Sequence, residues 1–277
     1  ETENDLTVKA NKRTFIFSKK DGQLKGVSVD NRKISFANGP RFIGARRADR
    51  SLDQFYNHDD EKAKEKDRTY SEFPDAAVFT KLDVKQEGGD LIVTANYKLG
   101  NLDKAQWTIS PSGDLVLDYT YNFSGVVDLM GICFDYPEDQ VISKRWLGAG
   151  PYRVWQNRIH GTQYDVWEND YNDPIPGETF TYPEFKGYFG DVSWMNIRTK
   201  EGIISLTNET PDAYVGVYQP RDGRDRLLYT LPESGISLLN VIPPVRNKVN
   251  STDLCGPSSQ PKWVNGPQTG RIVFRFI

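Results

Sequence analysis

Apolar and polar residues alternate with a period of two along most of this chain, and that pattern constrains its fold more than any other feature. Leu91, Val93, Ala95 and Tyr97 point to one side of an extended segment, and Leu115, Leu117, Tyr119 and Tyr121 do the same on a later one. Turn signals punctuate these segments at hairpin spacing, as in Glu87-Gly-Gly-Asp90, Pro111-Ser-Gly-Asp114 and Lys200-Glu-Gly202. Further strands are expected at Asp5–Ala10, Thr14–Ser18, Lys25–Val29, Lys33–Phe36, Val78–Lys85, Ala105–Ser110, Met130–Asp135, Ser193–Thr199, Ile203–Thr207, Tyr214–Tyr218, Ile236–Val241 and Arg271–Phe276. That makes about fourteen short strands with almost no helical periodicity, which predicts an all-β sandwich of mostly antiparallel sheets with long loops. No internal repeat of fixed period is visible, which argues against a propeller or a β-helix.

With 277 residues, 37% of them hydrophobic, the chain can bury a large core, and residues 1–277 are read as one domain. A formal net charge of -3, with both signs interspersed, gives no basic field for nucleic acid and no polybasic anchor for a membrane. A neutral or weakly charged ligand is expected instead. No apolar run is long enough to span a bilayer, and the opening Glu1-Thr-Glu-Asn-Asp5 lacks both an initiator methionine and the order of a signal peptide. It reads as the start of an internal fragment. Cys133 and Cys255 have no metal-ligand spacing, and Cys133, inside Leu129-Met-Gly-Ile-Cys-Phe134, reads as a buried thiol. The phosphate loop, the dinucleotide-binding glycine motif, the hydrolase elbow, the zinc-protease motif and the calcium loop are all missing, so neither metal nor cofactor is expected.

Two long regions break the alternation. Arg46–Tyr70 carries His58 and a mixed charge run, Asp59–Arg68, which reads as a solvated loop or short surface helix. Gly148–Asp191 is too long for a mere connection and is expected to be a functional or partner-covering loop. Its first part belongs to the stretch Trp146–Trp167, the densest chemistry in the chain. A flat aromatic face beside a forked donor suits a sugar, which has apolar C–H faces and hydroxyl groups, so Tyr152, Trp155, Asn157, Arg158 and Trp167 are the carbohydrate-binding candidates.

Such a cluster has a second explanation, since a long loop must also bury its own side chains. Arg158 is accordingly either a ligand clamp or a structural pin. In the pinned arrangement Gly148 and Gly150 are expected to adopt backbone angles closed to other residues, with Pro151 stiffening the exit. Tyr152, Trp155 or Trp167 would then stay partly exposed. His160 is a weak candidate general acid, with Glu168 or Glu178 as its partner. No spacing among the loop carboxylates identifies the pair that glycoside hydrolysis requires.

Trp146-Leu-Gly-Ala-Gly-Pro151, followed by Asn157-Arg158, resembles the signature of the C-terminal domain of family 2 glycoside hydrolases of the β-galactosidase type: W-L-G-x-G-P, an aromatic spacer, then an acidic residue and arginine. Leu6–Ser18 with Asp21-Gly-Gln-Leu24 resembles that family's opening strands, and Ile272–Phe276 its closing strand. Asn157 stands where the family commonly has aspartate, and Ala45–Arg50 carries only part of its R-A-P-x-D-N-D stretch. Where the family brings a tryptophan to the sugar, the chain reads Asp253-Leu-Cys-Gly-Pro257, with Trp263 the nearest tryptophan.

The resemblance implies a galactose-mutarotase-like supersandwich that acts as an accessory, carbohydrate-binding wall of an active site. The catalytic glutamates would then sit on an upstream (β/α)₈ barrel of the parent chain. The implied partners are that barrel and a carbohydrate, either a galactoside or a plant or host polysaccharide fragment, and the parent is expected outside the cytoplasm, periplasmic or secreted. Two alternatives stand beside it: a stand-alone mutarotase-type aldose epimerase, or a non-catalytic carbohydrate-binding module.

Overall fold

The computed structural model describes residues 2–47, 70–170, 187–217, 232, 234–244 and 256–277. They form two nine-stranded sheets in which every strand pairing is antiparallel. The first sheet runs β1 (Asp5–Ala10), β2 (Arg13–Ser18), β3 (Leu24–Val29), β5 (Ala37–Arg47), β11 (Leu129–Asp135), β17 (Ile236–Val241), β16 (Tyr214–Gly216), with β4 (Arg32–Ile34) beside β3 and β6 (Tyr70–Glu72) beside β5. The second runs β13 (Gln163–Asp170), β12 (Val141–Gly150), β14 (Trp194–Thr199), β15 (Gly202–Asn208), β18 (Lys262–Phe276), β10 (Leu115–Val127), β9 (Leu102–Ile109), β8 (Asp90–Lys98), β7 (Val78–Glu87). The expected all-β two-sheet architecture is what forms.

The alternation explains how the sheets face each other. Across the second sheet, register aligns Trp167, Trp146, Met195, Leu206, Phe274, Leu115, Ile109 and Leu91 in one row on one face. Six of these eight are fully or almost fully buried, with Trp167 and Leu91 half-buried at the ends. The first sheet answers with Phe134, and the link after β4 with Phe36, whose ring centroids lie 5.5 and 5.1 Å from that of Phe274 and 4.7 Å from each other. Fully burying one such side chain contributes about 1.5–3 kcal/mol, so this contact layer holds the sandwich together.

Every expected strand overlaps an observed one. Four observed strands fall outside the expected set: β5, β6, β12 and β13. Asn38, Gly39 and Pro40 read as turn residues at the start of β5, and their signal masks the apolar run Phe42–Ala45 behind them. The larger correction concerns Gly148–Asp191, expected as a loop. Its described first part is a hairpin, because β12 continues to Gly150 and β13 pairs with it from Ser143↔Asp170 to Gly150↔Gln163. Glycines within β12 and outward-pointing Tyr164 and Val166 on the edge strand β13 hide the alternation there.

β11 is buried at every position from Leu129 to Phe134, and an antiparallel strand reads this way only when both its faces are covered. Met130, Ile132 and Phe134 join the main core. Leu129 and Cys133 face outward with Ile43, Ala45 and Leu239, into a second cluster closed by Val154, Trp155 and Tyr188. Cys133 is a free, buried thiol, and burial pushes its pKa up to about 11. Little thiolate therefore exists near pH 8. In a Cys255→Ser variant, Cys133 is expected to resist iodoacetamide while the protein is folded and to alkylate once denaturant passes the unfolding midpoint, with thiol counting by mass spectrometry as the check.

Candidate functional site

The Trp146–Pro151 stretch is where β12 meets its neighbours at close range. Trp146 is fully buried, its Nε1 donates to the Ala149 carbonyl at 3.0 Å, and its ring meets Phe189 edge-on at 4.9 Å. Gly148 and Gly150 are needed for space rather than for unusual backbone angles: neither has positive φ, which corrects the expectation from sequence. A Cβ on Gly148 would lie 2.9 Å from the Gly190 carbonyl oxygen, and one on Gly150 would lie 2.4 Å from the ring of Trp167. The Trp167 Nε1 in turn donates to the carbonyls of Gly148 and Gln163, each at 3.2 Å.

After the Gly150–Pro151 cis peptide, residues 153–158 lie against the outer face of the first sheet. Val154 exchanges backbone hydrogen bonds with Tyr188, and Trp155, 1% exposed, meets Tyr188 edge-on. Gln156 is the strongest fastening. Its backbone N–H donates to the Pro243 carbonyl, and its side-chain Nε2 donates to the carbonyls of Ser258 and Gln260 at 2.9 and 2.7 Å. Asn157 adds a bond to the Ser259 hydroxyl at 3.1 Å. Arg158 closes a tight turn through its backbone N–H to the Trp155 carbonyl at 2.8 Å.

These contacts sort the candidates chosen from sequence. Trp155 is core, Trp167 and Asn157 are half-buried, and Tyr152, Arg158, His160 and Glu168 are at the surface, with Tyr152 45% exposed. Glu168 sits on β13 opposite Arg145, and Glu178 lies outside the described residues. The buried arginine of the stretch is Arg153, whose guanidinium carbon lies 5.9 Å from the centre of the Phe189 ring; the Lys144 ammonium lies 6.0 Å from that same centre. Sequence reasoning passed over Gln156 and gave Trp263 no role. Trp263 is 71% exposed and opposes Val126 in a ribbon of β10 and β18 that runs beyond the last β9 pairing at Tyr121↔Leu102. Its signal in the sequence was a tryptophan within a polar, Gly/Pro-containing run, where no core demands one.

The exposed aromatics flank the fastened stretch. Tyr152 leaves it on the hairpin side, where Tyr164 is 59% exposed and hydrogen-bonded through its hydroxyl to Ser193 at 2.6 Å. Trp263 lies three residues past Gln260, which Gln156 holds. Among the described residues, the carboxyl groups with displaced pKa values are Glu87, lowered by its hydrogen bond to Lys85, and Asp135. Burial alone would raise Asp135, but hydrogen bonds from Arg41 and Asn38 and the Arg41 charge hold it below the usual range. Both shifts run opposite to what a general acid requires. Among the described residues, no group of three His, Cys, Asp or Glu side chains is placed to hold a metal.

A family model described as the beta galactosidase small chain matches residues 9–242. The chain belongs to that family. No curated protein sequence matches it. Among solved structures, the galactose 1-epimerase from Lactobacillus acidophilus NCFM superposes on this small-chain domain with a TM-score of 0.51 at 10% identity, covering 99% of this chain and 94% of that one. A galactose mutarotase-like protein from Lactobacillus casei ATCC 334 gives 0.44 at 11% identity, covering 99% and 100%. The GalM/aldose epimerase homologue from C. elegans gives 0.43 at 8%, covering 99% and 98%. At such identities the first likeness establishes the fold, galactose mutarotase-like, and nothing about activity.

Gln156→Ala would remove both hydrogen bonds to the Ser258 and Gln260 carbonyls and unfasten the stretch. A loss of roughly 1–3 kcal/mol is expected, read as a lower denaturant midpoint. Gly150→Ala, which must displace Trp167, is expected to lower the melting temperature and red-shift the tryptophan emission. Gly26→Ala, whose Cβ would meet nothing within 4 Å, serves as the control and should leave both unchanged.

Proposed function

We propose that this small-chain domain is an accessory wall of the active site of a family 2, β-galactosidase-like glycoside hydrolase acting on a galactoside or a plant or host polysaccharide fragment, outside the cytoplasm. Its own residues hold sugar; the acid and the nucleophile are glutamates of an upstream barrel. The observation that carries this reading is the family match over residues 9–242, and the exposed rings of Tyr152, Tyr164 and Trp263, suited to stacking on the C–H faces of a sugar, support it.

In the full-length enzyme, Tyr152→Ala and Trp263→Ala are expected to lower kcat/KM at least tenfold with little change in melting temperature. Unchanged kinetics in both variants would remove the role of this surface. The epimerase alternative places the reaction on His160 with Glu168 or Glu178, and polarimetry tests it directly. The purified chain is expected to leave the anomer equilibration of galactose and glucose at its spontaneous rate, whereas acceleration abolished in His160→Ala would establish the alternative.

A further inference from the structure

A concave region lies away from the hairpin, where β7 and β8 at the edge of the second sheet approach the β2–β3 turn, β5 and the residues after β6. It is a cleft of about 750 Å³, inside the roughly 300–1,000 Å³ range of small-molecule sites. Phe73 and Phe79 line one part of it, and Phe79 packs edge-on against Tyr97 with ring centroids 5.9 Å apart. Asp21, Glu72 and Asp75 bring carboxylates, and Lys20 and Arg41 bring cations.

The hydrogen bonds inside the cleft show which groups are committed. Arg41 is taken up by its own partners, with Nη2 donating to Asp135 and Nη1 to the Asn38 carbonyl, each at 2.6 Å. The Asp75 Oδ1 accepts the backbone N–H groups of Ala77 and Asn101, both at 3.1 Å, and the Asp21 Oδ1 accepts that of Gln23 at 3.0 Å. Those bonds fix both carboxylates and leave the second oxygen of each as an acceptor. The Tyr97 hydroxyl is buried and meets no hydrogen-bond partner among the described residues. Burial and the nearby charges of Asp21 and Asp75 raise its pKa, so it stays a donor at neutral pH.

With Arg41 neutralised by Asp135, the lining opposes one lysine to three carboxylates, which disfavours an anion. Flat rings beside oriented acceptors and one unmet hydroxyl suit a ligand that is neutral, has C–H faces and carries several O–H groups. We propose that this cleft is a second saccharide site, which seats a ring of a neutral oligosaccharide against Phe79 and takes its hydroxyls on Asp21, Asp75 and Tyr97. The proposal rests on the carbohydrate part of the reading above but uses none of the residues of that surface.

Calorimetry of the full chain with lactose, cellotetraose and xylotetraose as probes tests it. At least one probe is expected to bind; Phe79→Ala should weaken it at least tenfold and Tyr97→Phe at least threefold, while Gly26→Ala leaves it unchanged. Tyr97→Phe removes a hydroxyl that has no partner to lose, so its melting temperature should equal or exceed the parent's, which separates weakened binding from misfolding. The proposal is overturned if no probe binds, if binding is lost only in Trp263→Ala, or if spermidine binds at Phe79 and Tyr97 while no saccharide does. None of these outcomes decides the accessory-wall role, which is read from turnover by the full-length Tyr152 and Trp263 variants.

Discussion

The structure depends on β11 being covered on both faces. The first sheet cannot end at its solvent side there, because Leu129 and Cys133 carry apolar surface outward while Met130, Ile132 and Phe134 fill the sandwich. Val154, Trp155 and Tyr188 provide the cover. Burying a large apolar side chain is worth about 1.5–3 kcal/mol, and a net hydrogen bond about 0.5–1.5 kcal/mol. The two effects are therefore of comparable size in this stretch. Trp155 sets where the chain must lie, and the two hydrogen bonds that the Gln156 amide donates to the carbonyls of Ser258 and Gln260 select one register on that face.

This arrangement gives the family signature a physical meaning that its letters do not disclose. In Trp146-Leu-Gly-Ala-Gly-Pro151, the tryptophan is core, the first glycine admits the backbone at Gly190–Val192, and the second admits the ring of Trp167. The signature describes how one hairpin packs against its neighbours. The surface next to it is a consequence of where that hairpin and the following residues are forced to lie, and side chains exposed there, such as Tyr152 and Tyr164, are not those the signature names.

The alternation made most of the sandwich legible, because half-buried antiparallel strands such as β2, β8 and β10 carry it plainly. It failed where the physics of burial differs. On β12, glycines replace the apolar side chains at points of close approach, and on the edge strand β13, Tyr164 and Val166 face out. The site was harder to read still. Composition drew attention to Arg158, whereas the arginine taken into the interior is Arg153, beside Phe189 and near Lys144. Nothing local in Tyr152-Arg-Val-Trp-Gln-Asn-Arg158 tells which arginine turns inward; that follows from Val154 and Trp155 facing the sheet, a tertiary constraint. Gln156 was invisible for the same reason, since both its side-chain acceptors lie about a hundred residues downstream.

A fold shared with a sugar epimerase at 10% identity fixes the path of the backbone and not the side chains that do chemistry. The outward face of the second sheet carries a register row of Glu168, Arg145, Asn196, Ser205 and Arg275, and Arg275 continues into an ion pair with Asp114 at 3.1 Å. Glu168 and Arg145 are register neighbours there, so opposite charges face each other, and His160 lies off the row. His160 stands instead at the exposed turn after the fastened stretch, beside a segment whose order comes from Trp155 and Gln156. A proton-transfer residue needs a partner that fixes its tautomer and moves its pKa toward the working pH. The displaced carboxyl groups, Glu87 and Asp135, are held low by cations, and the strongly raised groups are tyrosines and a thiol pushed up by burial. Among the described residues, the displaced groups therefore report burial and ion pairing within the sandwich.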